Sequence, residues 1–166
     1  GIAGIFTMPL LGIVADKAVV FYGNEVKGRK AMLILAPSIG IVASILLLMM
    51  KGDSIVLGGF ICVLFATYWA IEPGGVVGYA GSIYGNKSLG KLWGLATWII
   101  MGIGPALGSF MGGYLADTTG NFVASIQFAM GAFIFSLVMA LTMPLSYKNP
   151  EEAAEAAGAG EAVAAK

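Results

Sequence analysis

Residues 31–50 carry no charged side chain at all. Wound as an α-helix, twenty residues reach about 30 Å, the thickness of a bilayer's hydrocarbon core. In lipid the backbone must satisfy its own hydrogen bonds, so a run of this kind is a spanning helix. Comparable stretches follow at 54–83, 92–116 and 122–145, and a shorter one occupies 1–15. The first covers only about 22 Å as a helix, and it has neither the basic leader nor the cleavage site of a signal peptide. The expectation is an all-α integral membrane protein of five spans, the first of them truncated because the chain begins inside a transmembrane helix.

The composition agrees. The 166 residues are 58% hydrophobic and 11% charged, with a mean hydropathy of +0.90, whereas soluble domains carry about 25% charged residues. A formal net charge of zero argues against a nucleic-acid partner, which requires a basic face. There is no histidine, so no His-based metal site, triad or proton relay can form, and neither a metal nor a cofactor is expected. Nor is there an Asp-rich metal motif, or a nucleophile with a base at helical spacing, so the sequence does not read as an enzyme. Cys62 lies alone within an apolar run; it reads as a small core residue and excludes an intrachain disulfide.

The polar intervals alternate in charge. One set holds Lys17, Lys27, Arg29 and Lys30, then Lys87 and Lys91, then Lys148; the other holds only Lys51, in the turn Lys51-Gly52-Asp53. The positive-inside rule assigns the first set to the cytoplasm. Residues 1–147 then form the transmembrane domain. Residues 148–166, rich in Ala and Glu from Asn149 onward and without aromatic residues, form a cytoplasmic tail with nothing to bury.

Within the spans, glycine recurs at close-packing intervals. Gly104, Gly108 and Gly112 fall at i, i+4 and i+8, a stripe that lets another helix approach backbone to backbone; it is equally the ordinary way membrane helices associate. Pro73, in the interruption Glu72-Pro73-Gly74-Gly75, and Pro105 each remove a backbone donor and permit a kink.

Gly12, Asp16 and Lys17, followed by Gly28, Arg29 and Lys30, resemble the loop motif of the major facilitator superfamily of secondary transporters. That motif reads Gly, three residues, Asp, a basic residue, a spacer, then Gly, Arg and a second basic residue. Here residues 18–27 replace its single-residue spacer. Gly104-Pro105-Ala106-Leu107-Gly108 and the later Gly112-Gly113-Tyr114-Leu115-Ala116-Asp117-Thr118-Thr119-Gly120 are similar to the eleventh helix and following turn of monocarboxylate and oxalate/formate-type members. Pro73, Tyr84-Gly85 and Gly94 resemble the passage before it.

The resemblance implies helices eight to twelve of a twelve-helix transporter, most of one six-helix half; helices two to six would have the same topology. It also implies that the Asp16–Lys30 loop is a conformational latch. Asp16 at a helix C-terminus faces the negative end of the macrodipole, so it should seek Arg29, Lys30 or a neighbouring helix N-terminus, in one state of a transporter only. The alternative is a solvated cluster that orients the protein and does no more.

Glu72 is the one carboxylate inside an expected span. Desolvation favours the protonated form of such a group, which makes it a candidate proton carrier; otherwise it caps a helix break at Pro73. Tyr68 and Trp69 share its helix face, and Trp98, Met101 and Pro105 offer a facing wall. These groups line either a midplane cavity or the lipid boundary. Trp93 beside Lys91 reads as an interfacial anchor, and Ser125 and Gln127 read as structural hydrogen-bond donors.

None of the nine Lys and Arg residues is clearly intramembrane, so a cation for an organic anion would have to come from outside this sequence. The expected activity is secondary active transport of a small solute, such as a monocarboxylate, with protons or in exchange. Its partners are membrane lipid, the solute and the N-terminal half of the same chain. The competing reading is a stand-alone five-helix scaffold or subunit.

Overall fold

The computed structural model describes residues 2–52, 54–84 and 86–145, and of residues 2–6, 8, 72–74 and 86–88 only the backbone. Among them there is no strand. The expected tail and Lys148 lie outside the described residues, as do Asp53 and the side chain of Glu72.

The chain forms helices α1 (Ile2–Tyr22), α2 (Glu25–Met49), α3 (Ile55–Tyr84), α4 (Asn86–Thr97), α5 (Gly104–Thr119) and α6 (Val123–Thr142). A π-helical stretch, Trp98–Ile103, joins α4 to α5 without a break. Four helical segments are long and apolar enough to cross a membrane: Glu25–Met49, Ile55–Tyr84, Leu89–Thr119 and Val123–Thr142. The 21-residue α1 adds a rod of about 32 Å.

Several expected boundaries are corrected. The first helix does not stop at Ala15; it runs through Asp16 and Lys17 to Tyr22. The expected polar interval is therefore mostly helix, and the connection to α2 is Gly23-Asn24 alone. Gly23 adopts φ +59, a left-handed conformation in which a Cβ is disfavoured. Asn24 is the N-cap of α2, its Oδ1 accepting from the Lys27 N–H at 3.0 Å, which satisfies one orphan donor of the first turn.

α3 shows no interruption at Glu72-Pro73-Gly74-Gly75, because its backbone stays helical across them. The expected loop at 84–90 is largely the first turn of α4, so Lys91 stands on a helix and not in a loop. At the far end, Asp117, Thr118 and Thr119 complete α5, and the turn begins at Gly120 (φ +71), whose N–H caps Ala116 at 2.9 Å. α6 ends where Met143 takes an extended ψ of 138, as a residue preceding a proline prefers.

Pro105 explains the π-helical stretch. It lies at the start of α5, has no N–H to donate, and its ring crowds the carbonyl four residues back. Widening the turn before it accommodates both effects. The bundle itself is α1, α2 and α3 packed mutually, with α6 laid along α2. The α4–α5 rod leaves the end of α3 and returns to α6, where the Ser125 hydroxyl donates to the Gly112 carbonyl at 2.7 Å.

Two glycines allow the tight α2 contacts. A Cβ on Gly28 would sit 2.5 Å from the Val19 Cα of α1, and one on Gly40 would sit 2.8 Å from the Phe133 ring of α6. Phe133 also meets Tyr68 edge-on, with centroids 4.8 Å apart. By contrast Gly104 and Gly108 are exposed within this chain, and a Cβ on Gly108 would meet nothing. Cys62 is exposed on α3, correcting its reading as a core residue: in a helix that is apolar all round, apolar neighbours in sequence do not distinguish an outer face from a core face.

Overpacking at a site that cannot yield costs about 1–3 kcal/mol. Gly28→Ala should therefore lower the thermal unfolding midpoint of the detergent-solubilised protein substantially, since its neighbour is backbone. Gly40→Ala should lower it less, because a ring can rotate away. Gly108→Ala should leave it unchanged; an equal drop at Gly28 and Gly108 would contradict the packing described.

Candidate functional site

The end of the bundle that gathers Gly28, Arg29 and Lys30 holds the main concentration of charge among the described residues. Its logic starts from α2. Lys27, Arg29 and Lys30 stand in the first two turns of that helix, and Lys27, in the first turn, meets the positive end of the macrodipole, which disfavours a cation. Lys27 is exposed, whereas Arg29 and Lys30 find partners, and in different directions.

Lys30 reaches α6. Its ammonium donates to the carbonyls of Leu141 at 2.8 Å and Met143 at 2.6 Å. Carbonyls at a helix C-terminus lack intrahelical partners and carry the negative end of the dipole, so the cation of one helix start seals the end of another. The residue is only 8% exposed. Beside it the Tyr79 hydroxyl of α3 donates to the Pro144 carbonyl at 2.8 Å, which binds α3 to the residues that follow α6.

Arg29 points the other way. Its Nη1 lies 3.7 Å from the Asp16 carboxylate of α1, and its Nε lies 3.9 Å from Glu25 one turn back on α2. The stem crosses α3 at Gly78, where a Cβ would stand 3.0 Å from the Arg29 Cδ and Nε. Arg29 Nε is buried without a hydrogen-bond acceptor. The Asp16 side chain is 76% exposed, and exposed pairs of this kind contribute about 0–1 kcal/mol. The Lys30 contacts are therefore strong and structural, while the Arg29–Asp16 contact is weak and easily exchanged.

Asp16 does meet Arg29, but not by the dipole argument. It stands six residues before the end of α1, beyond the last turn in which the macrodipole acts. Gly12 and Lys17 lie on the same helix, both exposed, and Gly28 supplies the close approach to Val19.

The candidate pathway residues do not converge. Tyr68 packs inward against Phe133 and the Met32–Ala36–Ile71 cluster, whereas Trp69 beside it is exposed. Trp98 is 67% exposed on the π-helical stretch, and Pro105 is exposed on α5. Of Glu72, the backbone is in α3. Among the described residues, no group of three or more His, Cys, Asp or Glu is placed to hold a metal ion.

The Lys30 cap, Tyr79–Pro144 and the Gly40–Phe133 contact were not anticipated. None of the three was legible in the sequence, because each joins residues far apart along the chain. No family model, curated protein or solved structure matches the chain.

Hydrogen bonds from a charged donor contribute about 1.5–3 kcal/mol each. Lys30→Met should therefore destabilise the protein by at least that much in an unfolding titration. Lys27→Met, at an exposed position, should shift it by less than about 0.5 kcal/mol. Equal effects at the two positions would refute the assignment of Lys30 as the cap of α6.

Proposed function

We propose that the chain is part of a secondary active transporter of the major facilitator type, moving a small solute such as a monocarboxylate by alternating access. The observation that carries this reading is the Arg29–Asp16 contact at 3.7 Å. It joins the two halves of the Gly12…Asp16-Lys17…Gly28-Arg29-Lys30 pattern across the α1–α2 junction. The ten intervening residues do not separate the halves, because 18–22 extend α1, Gly23-Asn24 form a tight turn and 25–27 open α2.

In this reading the junction is a latch on the cytoplasmic side, with the C-terminus on that side too. A contact suited to a latch must form and break at little cost. The Arg29–Asp16 contact is long and its carboxylate is exposed, and the Arg29 stem passes close over Gly78 on α3. A pair contributing up to about 1 kcal/mol biases a two-state equilibrium by up to about fivefold, enough to tune a transporter without locking it. Lys30, by comparison, holds the frame within which that exchange occurs.

Glu72 is the candidate proton carrier. Its position on α3 is six residues before Gly78, about 9 Å along the helix axis. Protonation there is thereby close enough to the latch for the two to be coupled through one rigid helix.

The test is uptake of small monocarboxylates by proteoliposomes containing the full-length protein, with and without an inward proton gradient. The gradient should stimulate uptake, and Glu72→Gln should abolish the stimulation. Asp16→Asn should change the rate by up to about fivefold while leaving the folded fraction unchanged. Gradient-independent uptake, or normal coupling in Glu72→Gln, would remove the proton-carrier role; absence of any uptake across the panel would favour a scaffold.

A further inference from the structure

At the basic end of the bundle a cleft of about 310 Å³ opens between the end of α1, the start of α2 and the end of α6. Its polar rim is Tyr22, Lys27 and Lys30, and its walls are apolar, including Ile34 on α2 and Leu141 and Leu145 on α6. We propose that this cleft is a binding site for an anionic phospholipid, with the phosphate on the Lys27 and Lys30 ammonium groups and an acyl chain along Ile34 and Leu141.

The charges require an anion. Among the described residues neither lysine has a carboxylate within ion-pair distance, and the two carboxylates nearest in sequence, Asp16 and Glu25, are both turned to Arg29. Lys30 spends two N–H groups on the Leu141 and Met143 carbonyls; an ammonium has three, so one remains for a ligand. Its charge is buried and neutralised only by carbonyl dipoles. The start of α2 adds its own positive field at the same place.

The walls select the source of that anion. A small water-borne phosphate would be met by polar groups at the rim alone and would leave the apolar walls unused. A phospholipid uses both, since its headgroup lies where a membrane-length helix reaches the polar boundary and its chain lies one turn deeper. Leu141 and Leu145 are half exposed, which leaves the walls open to a chain arriving from the side. Basic pockets between spanning helices recognise lipid phosphates in this manner. The inference does not depend on whether the chain transports a solute.

The experiment is native mass spectrometry of the full chain released from nanodiscs containing phosphatidylglycerol and phosphatidylcholine in equal amounts, reading the ratio of the two lipids retained. The wild type should retain phosphatidylglycerol preferentially. Lys27→Gln should lower that preference by about fivefold, the effect of one lysine near a membrane phosphate. Leu141→Trp, which fills the apolar wall and leaves both lysines in place, should lower it as well. Lys91→Gln, a cation on the same end but outside the cleft, should not change it. A ratio unaltered by both Lys27→Gln and Leu141→Trp would overturn the proposal, as would equal reduction by Lys91→Gln. Displacement of the bound lipid by millimolar inorganic phosphate would assign the site to a free anion instead.

Discussion

The ammonium of Lys30, held on the last carbonyls of α6, is the interaction on which the arrangement of this protein depends. Two helix ends with unsatisfied groups of opposite sign meet there: the start of α2, overloaded with cations, and the end of α6, with acceptors that have no partner. In water each could be solvated separately. Buried together inside the bundle they have little water, so joining them satisfies both and fixes α6 antiparallel along α2. Once that is set, Phe133 lies over Gly40, Tyr68 closes on Phe133, and Tyr79 finds the Pro144 carbonyl. The rest of the bundle is built along that seam.

The same junction holds contacts of unequal strength, and the inequality gives it a mechanical character. Lys30 is buried and doubly hydrogen-bonded, whereas Arg29 is stretched between two carboxylates at 3.7 and 3.9 Å. One residue anchors and its neighbour in sequence can let go. Adjacent positions on a helix point about 100° apart, so Arg29 serves α1 and α3 while Lys30 serves α6. A three-residue cluster, Gly28-Arg29-Lys30, thereby touches three other helices. The α4–α5 rod stands apart from this hub, bound to the bundle through α3 at one end and through Ser125 and Gly112 at the other. Its exposed Gly104 and Gly108 belong to a surface that no helix described here covers.

Much of the architecture is legible in the sequence because a simple rule serves: long uncharged runs are helices, and polar residues mark where they end. All of the run 31–50 but its last residue falls within α2, and 122–145 contains α6. The rule misleads where charge does not end a helix. Asp16 and Lys17 look like a terminus, yet the apolar residues 18–22 carry α1 onward, and the true stop is written in Gly23 and Asn24, a left-handed residue and an N-cap. Proline misleads in the other direction: Pro73 suggests a break, but the helix backbone continues past it. The motif Gly12 to Lys30 identifies the charged junction, and Asp16 and Arg29 do meet. Its Lys30 contact was not legible, because nothing in the sequence says that the carbonyls 111 and 113 residues later return to the same place. The candidates Trp69, Trp98 and Pro105 were grouped by helical spacing, which gives a face but not what the face meets.

The central claim is that the Gly28–Arg29–Lys30 junction ties α1 and α6 to the start of α2. It is tested most directly by the distance between spin labels placed at Val20 on α1 and Thr142 on α6, both exposed, measured by pulsed electron resonance in nanodiscs. The wild type should give one narrow distribution, and an Arg29→Gln, Lys30→Met double variant should give a broad one with a longer component. An unchanged narrow distribution in the double variant would show that apolar packing alone holds these helix ends together.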